Sequence, residues 1–176
     1  CLVGSEMCIR DRGVAADLPT PTGVFVGRHR ELRALRLMLE NAPGSGPVLA
    51  LITGPGGVGK STLAAQAVTR YGGKYKATLT LSCLGYQGVE LFLQRIGEFL
   101  KGQGASGFLE QTLPDLKLST TAKIEEAITV LNQTGPFLLV VDNLESVQED
   151  QTLRDEGLLQ LLQKLLTNLR GGRVLI

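Results

Sequence analysis

The chain has 176 residues, of which 43% are hydrophobic and 20% charged, and its formal net charge is +1. This composition excludes an intrinsically disordered chain, and the near-neutral charge supplies no long-range field that would recruit nucleic acid or an anionic membrane surface. Three cysteines without a C-x-x-C pair exclude a disulfide framework, and no apolar run approaches the roughly 18 to 20 residues that cross a bilayer, so we expect a cytoplasmic chain without a membrane segment.

The first 23 residues differ in composition from the rest. Residues 1–12 have neither helical nor strand periodicity and resemble a translated sequencing adapter, so we treat them as non-native. Residues 13–23 are rich in small residues and proline, which is typical of an extended linker. We therefore predict a non-native or linker segment over residues 1–23 and one domain over residues 24–176.

Helices and strands alternate along the whole predicted domain. Apolar residues spaced three and four apart predict helices, while short continuous apolar runs predict strands that are covered on both faces. The predicted elements, in chain order, are a helix around residues 32–39, a strand over 48–53, a helix over 60–70, a strand over 77–83, helices around 89–100 and 124–131, a strand over 137–141, a helix over 158–169 and a strand over 173–176. This alternation predicts a three-layer α/β/α sandwich with a mainly parallel sheet.

A glycine-rich loop lies between the first predicted strand and the helix that follows it. It satisfies the pattern G-x-x-x-x-G-K-S/T, and its nine residues are Gly54, Pro55, Gly56, Gly57, Val58, Gly59, Lys60, Ser61 and Thr62. Glycines let such a loop curl so that backbone N–H groups point inward, and the N-terminus of the following helix adds about half a positive charge. The loop therefore predicts a binding site for the phosphates of a nucleotide, because a purely structural turn needs no Lys-Ser after it.

Three side chains at the end of this loop have separate predicted roles. Lys60 is expected to contact the β and γ phosphates as a mobile charge, and to face solvent when the site is empty. The hydroxyl of Ser61 is a hard oxygen ligand suited to Mg²⁺. Thr62 is expected near the α-phosphate, so the loop predicts a Mg²⁺-bound nucleotide as the ligand.

Four apolar residues lead into Asp142 at the predicted carboxyl end of a strand, where open α/β sheets bind ligands. This predicts a Walker B carboxylate that binds Mg²⁺, although a strand-terminal Asp is also a common turn or capping residue. Asn143 follows where many hydrolysing ATPases have a catalytic Glu, and an amide cannot act as a general base. Glu145 could replace that base or could be a helix N-terminal charge, and the sequence leaves both open. Lys60, Asp142 and Glu145 are thus the candidate catalytic residues.

The same strand end distinguishes between nucleotides. A GTPase would be expected to show D-x-x-G, whereas the four residues here are Asp142, Asn143, Leu144 and Glu145. The glycine whose N–H would meet the γ-phosphate is absent from that position. We therefore expect ATP and ADP, with Mg²⁺, as the ligands.

Three segments together resemble the STAND class of signalling ATPases, NB-ARC-like relatives of the AAA+ proteins. These segments are residues 25–28, the glycine loop and residues 138–145. The resemblance implies that Val26, Gly27 and Arg28 contact the adenine base, although a plain N-terminal turn is the alternative. His29 is the only histidine, and we expect it at the surface without a ligand role.

The last residues of the chain extend the resemblance. Residues 171–176 are similar to the family strand that leads into a polar sensor residue, and in the family that strand lies between the strands that carry Thr53 and Asp142. The resemblance therefore implies a P-loop NTPase domain that is incomplete at its C-terminus.

Three functions are consistent with these residues. The first is a nucleotide-dependent switch with slow Mg²⁺-dependent ATP hydrolysis in a larger multidomain signalling protein, with self-association or effector domains as its partners. The alternative is an AAA+ motor or loader that acts on DNA or protein. A small-molecule kinase ranks last because no arginine-rich lid segment is evident in the sequence.

Overall fold

The computed structural model describes residues 18–19, 25–40, 49–150 and 152–176. The predicted non-native segment and nearly all of the predicted linker therefore lie outside the described residues, as do Val24 and residues 41–48. The domain boundary at residue 24 stays a prediction.

A four-stranded sheet forms the centre of the fold, and all its neighbouring strands are parallel. Its strands, in spatial order, are β1 (Leu49–Ala50), β6 (Gly172–Leu175), β3 (Phe137–Asp142) and β2 (Ala77–Ser82). The side chains of β3 from Phe137 to Val141 are at most 2% exposed, because helices cover both faces of this strand. The position of β6 between β1 and β3 confirms the strand order that the resemblance implied.

Two helices cover one face of the sheet, and they are α1 (His29–Glu40) and α2 (Lys60–Tyr71). Leu39 of α1 and Leu63 of α2 pack in one core cluster with Leu138 and Val140 of β3. The Tyr75 hydroxyl donates a hydrogen bond to the Leu39 carbonyl oxygen at 2.9 Å. This layer fixes the start of α2, and therefore the glycine loop, against the sheet.

Three helices cover the opposite face, and they are α3 (Val89–Gly102), α4 (Thr120–Gln133) and α5 (Glu156–Asn168). Leu93 of α3 and Leu161 of α5 pack with Leu139, because alternate residues of β3 point to opposite faces. Ser119 and Asp155 accept hydrogen bonds from first-turn amides and so cap α4 and α5. The predicted three-layer α/β/α sandwich with a mainly parallel sheet is confirmed. No helix in the described ranges has the length and apolarity to cross a membrane.

The sequence predictions miss several short elements and overestimate one strand. The missed elements are 3₁₀ turns at Gly72–Lys74 and Leu144–Val147, a π-helical turn at Phe108–Thr112, and an antiparallel hairpin of β4 (Gln148–Glu149) with β5 (Thr152–Leu153). Each of these elements has two to five residues, which are too few to produce a periodic pattern of apolar residues in the sequence. The first strand was predicted over residues 48–53, of which residue 48 lies outside the described residues, whereas β1 is Leu49–Ala50. Ile176 continues the pairing, because its N–H donates a hydrogen bond to Ala50 O and its carbonyl oxygen accepts one from Ile52 N.

Candidate functional site

The glycine loop joins β1 to α2 at the carboxyl edge of the sheet. Gly57 and Gly59 have φ angles of 74° and 85°, a left-handed conformation that costs other residues roughly 1 to 2 kcal/mol. A Cβ atom built on either glycine would meet no atom within 4 Å, so the space beside the backbone is open. This geometry suits a loop whose backbone approaches an anion closely.

The N-terminus of α2 faces the same loop. Gly59 is its N-cap and makes no side-chain hydrogen bond to the first turn, and α2 has no acidic residue in that turn. The partial positive charge at the start of this 12-residue helix is therefore not offset from within the turn. Such a helix start favours a phosphate group.

Ser61 and Asp142 meet although the chain separates them by 81 residues, and the Ser61 Oγ donates a hydrogen bond to Asp142 Oδ1 at 2.8 Å. The two predicted Mg²⁺ ligands therefore lie together, on the same side of the sheet as Lys60. A hydroxyl and a carboxylate fit Mg²⁺, which usually keeps waters and phosphate oxygens as its other ligands. In the described part of the chain, no group of three or more His, Cys, Asp or Glu side chains could hold a metal ion.

Lys60 is less exposed than predicted, because its ammonium group contacts the loop and Glu145. Its Nζ lies 3.2 Å from the Gly54 carbonyl oxygen, 3.5 Å from the Pro55 carbonyl oxygen and 3.2 Å from Glu145 Oε1. Only 19% of its side chain is exposed, because the loop curls its carbonyl oxygens around the ammonium group. The three N–H donors of Lys60 thus have three acceptors.

Glu145 lies near the start of the 3₁₀ turn Leu144–Val147. This position agrees with the alternative in which it is an N-terminal charge. Its carboxylate also reaches Lys60, which brings it to the site. A hydrogen bond with its own backbone amide, together with Lys60, lowers the pKa of Glu145 against the opposing effect of burial. Because a carboxylate with a lowered pKa is a weaker proton acceptor, this environment disfavours a strong general base. The role of Glu145 as a replacement base stays a prediction.

Asn143 adopts a left-handed conformation with φ of 57°, which asparagine tolerates better than most residues. Its Nδ2 lies 3.4 Å from Asp142 Oδ2 and 3.5 Å from Ser82 Oγ. Ser82 was not among the predicted site residues, although β2 pairs it in register with Asp142. The carboxyl ends of parallel strands meet at one edge, so the residue that ends the β2 run could have been named from the sequence.

Arg28, which lies directly before α1, contacts the glycine loop. The Arg28 guanidinium donates a hydrogen bond to the Val58 carbonyl oxygen. Gly27 and Arg28 both have positive φ, and Val26 is 83% exposed. The structure therefore brings Arg28 to the loop, while contact of Val26, Gly27 and Arg28 with adenine stays a prediction. His29 is exposed, as predicted.

A cavity of about 240 Å³ lies between the glycine loop and the carboxyl end of β3. Among the described residues, its lining includes Gly54, Lys60, Asp142, Asn143, Glu145 and Gln148, of which Gln148 was not predicted. Of the other loop residues, five are exposed: Pro55, Gly56, Gly57, Val58 and Thr62. The cavity thus brings the lysine, the carboxylate and the amide together. The position of Thr62 near the α-phosphate stays a prediction.

Comparison with known proteins gives one match. A family model described as the AAA ATPase domain matches residues 24–176, which include the glycine loop, Asp142 and every described strand. No curated protein and no solved structure matches the chain. The chain therefore belongs to the AAA ATPase domain family of nucleotide-binding P-loop ATPases.

Proposed function

We propose that this domain is a nucleotide-dependent switch that binds ATP and ADP with Mg²⁺ and hydrolyses ATP slowly. The observation that carries the proposal is the amide next to Asp142, since Asn143 Nδ2 lies 3.4 Å from Asp142 Oδ2. An amide can orient a water molecule by a hydrogen bond but cannot accept its proton. Binding would therefore persist while the chemical step is slow.

The binding half of the proposal rests on the groups around the cavity. Bound Mg²⁺ would neutralise charge on the β and γ phosphates, and Ser61 and Asp142 would hold it there. Lys60 would contact the same phosphates, and the start of α2 would add its partial positive charge. Arg28, already in contact with the loop, supports an adenine-side role for residues 26–28.

Slow hydrolysis is also supported by the environment of Glu145. This is the nearest carboxylate beyond Asp142 along the chain, and its Oε1 is paired with Lys60 at 3.2 Å. The lowered pKa of Glu145 reduces its ability to take a proton from water. Of the two positions from which a base would be expected, Asn143 therefore carries none and Glu145 carries a weakened one.

The proposal extends to the protein that would contain this domain. We place the domain in the STAND class, NB-ARC-like within the AAA ATPases. The support for this is the segment at residues 25–28, the strand order and the residues that follow Asp142. The nucleotide would then switch a larger multidomain cytoplasmic signalling protein between closed and self-associating states, through effector domains.

A nucleotide-content and turnover experiment tests this function. The purified protein should carry bound ADP, measured by chromatography of the nucleotide released on denaturation. Phosphate release should run well below the enzyme median of about 10 s⁻¹. Rapid steady-state turnover without any partner would contradict the switch. Strong stimulation by DNA or by an unfolded polypeptide would favour the motor or loader function instead.

A further inference from the structure

We propose that Glu145 is a specificity-determining residue that disfavours ATP relative to ADP at this site. This inference rests on the proposed nucleotide-binding function, and it identifies the residue that determines the preference for ADP over ATP. Its starting observation is the ion pair between Lys60 Nζ and Glu145 Oε1 at 3.2 Å, on the lining of the cavity.

The ammonium group of Lys60 has three acceptors within 3.5 Å before any nucleotide arrives. An ammonium group donates three hydrogen bonds, and the acceptors here are the carbonyl oxygens of Gly54 and Pro55 and the carboxylate of Glu145. A phosphate oxygen can therefore approach Lys60 only if an acceptor leaves. The contact with Pro55 is the longest, at 3.5 Å, so it is the first to be replaced.

The two nucleotides differ in how many acceptors they displace. The lysine of such a loop contacts both the β and γ phosphates of a triphosphate, whereas a diphosphate offers it the β phosphate alone. One new contact can replace Pro55 and leave the Lys60–Glu145 pair intact. Two new contacts require a second acceptor to leave, and of the two that remain the Gly54 acceptor is a backbone carbonyl oxygen, whereas Glu145 is a side chain that is 55% exposed. Glu145 must then either leave Lys60 or stay next to the negatively charged γ-phosphate.

Like-charge repulsion adds to this difference. An oxygen of the γ-phosphate within ordinary contact distance of Lys60 Nζ lies at most roughly 6 Å from a carboxylate that still contacts the same nitrogen. ADP places no γ-phosphate there and keeps the favourable pair. Glu145 therefore costs ATP affinity that it does not cost ADP.

The surroundings of Glu145 show that it can be displaced at small cost. Its side chain is 55% exposed, so water can solvate the released carboxylate. Its own backbone amide remains as a hydrogen-bond partner after Lys60 is lost. The Glu145 carboxylate can thus leave Lys60 without a rearrangement of the 3₁₀ turn. The preference for ADP over ATP is therefore set by this side chain and not by the backbone.

Isothermal titration calorimetry with Mg²⁺-ADP and a non-hydrolysable ATP analogue tests the inference. Glu145→Gln keeps the shape and removes the charge, and the ratio of the Kd for the ATP analogue to the Kd for ADP should fall about three- to tenfold. The matched control is Glu149→Gln, because Glu149 pairs with Arg154 at 3.0 Å rather than with Lys60. This control should leave the ratio unchanged.

Ionic strength supplies a second measurement on the same proteins. Because salt screens charges that are partly exposed, the difference between the wild-type and Glu145→Gln ratios should shrink as salt is raised. An unchanged ratio in Glu145→Gln, or an equal change in Glu149→Gln, would overturn the inference while nucleotide binding stands. If no variant and no wild-type protein binds either nucleotide, the proposed function itself fails, which is a different result.

Discussion

Ser61 Oγ lies 2.8 Å from Asp142 Oδ1, and this single contact joins the first turn of α2 to the carboxyl end of β3. The two residues are 81 positions apart in the chain, and the parallel pairing of β1, β6 and β3 brings them together. A hydroxyl and a carboxylate at this separation can bind one Mg²⁺ between them and the phosphates. The fold therefore forms the site, and single substitutions can test each of its residues separately.

Asp142→Asn should weaken Mg²⁺-nucleotide binding by about 10- to 100-fold, because hydrogen-bonding and metal contacts of a charged oxygen are lost. Calorimetry with and without Mg²⁺ measures the effect. The variant should lose most of the Mg²⁺ dependence that the wild type shows. Asp150→Asn makes the same change in the β4–β5 hairpin, away from the cavity lining, and should bind like wild type. Equal Mg²⁺ dependence in all three proteins would contradict the assignment of Asp142.

Asn143→Glu should raise ATP turnover at least about tenfold, because a positioned general base contributes roughly 10²- to 10⁴-fold and the left-handed backbone will limit its fit. Phosphate release at saturating ATP measures this. Asn143→Gln lengthens the side chain by the same amount without supplying a base, so it should leave turnover low. If both variants behave alike, the amide is not the reason for slow hydrolysis.

Gly172→Ala should destabilise the domain by about 1 to 3 kcal/mol through overpacking. A Cβ at this position on β6 would lie 2.8 Å from Cζ of Phe137, whose ring is 2% exposed and therefore has little room to move. Urea unfolding measures the free energy. Gly73→Ala is the control, because a Cβ there meets no atom within 4 Å, and it should stay within about 0.5 kcal/mol of wild type.

Because the Cys83 thiol is buried, the free energy of unfolding should fall as the pH rises above about 8. Burial, with the nearby charges of Asp142 and Glu145, raises the pKa of the Cys83 thiol to about 12. The unfolded thiol ionises near pH 8.5 and releases its proton first, so stability present below that pH is lost as the pH rises toward 12. Between pH 8 and pH 10 the loss should be about 1 to 2 kcal/mol by urea unfolding. Cys83→Ala should flatten this dependence, and an identical pH slope in both proteins would show that the thiol ionises equally in the folded state.

The sequence predicted the sheet, and the closeness of Ser61 to Asp142, because the signals for both are local. Continuous apolarity from residue 137 to 141 identifies a strand that is buried on both faces, and the residue after it must lie at the carboxyl edge. The glycine loop carries its own pattern. Together these two signals place Ser61 near Asp142 without any knowledge of side-chain geometry.

The unpredicted parts of the site depend on three-dimensional contacts that leave no pattern in the sequence. The Lys60–Glu145 pair requires the 3₁₀ turn at Leu144–Val147, which is too short to leave a periodic pattern. The expectation that Lys60 faces solvent overlooked the carbonyl oxygens of its own loop. Gln148 reaches the cavity only because the β4–β5 hairpin follows that turn.

The most direct test of the account is calorimetric titration of wild type and Lys60→Ala with ADP and ATP, with and without Mg²⁺. Wild type should bind adenine nucleotides in a Mg²⁺-dependent way, and a ligand concentration about 1,000 times the Kd should stabilise it by about 4 kcal/mol. Lys60→Ala should lose most of this affinity while its ligand-free stability changes by less than about 1 kcal/mol, since the ion pair that it removes is partly exposed. Absence of Mg²⁺-dependent adenine nucleotide binding in wild type, or equal stabilisation of both proteins, would contradict the central claim.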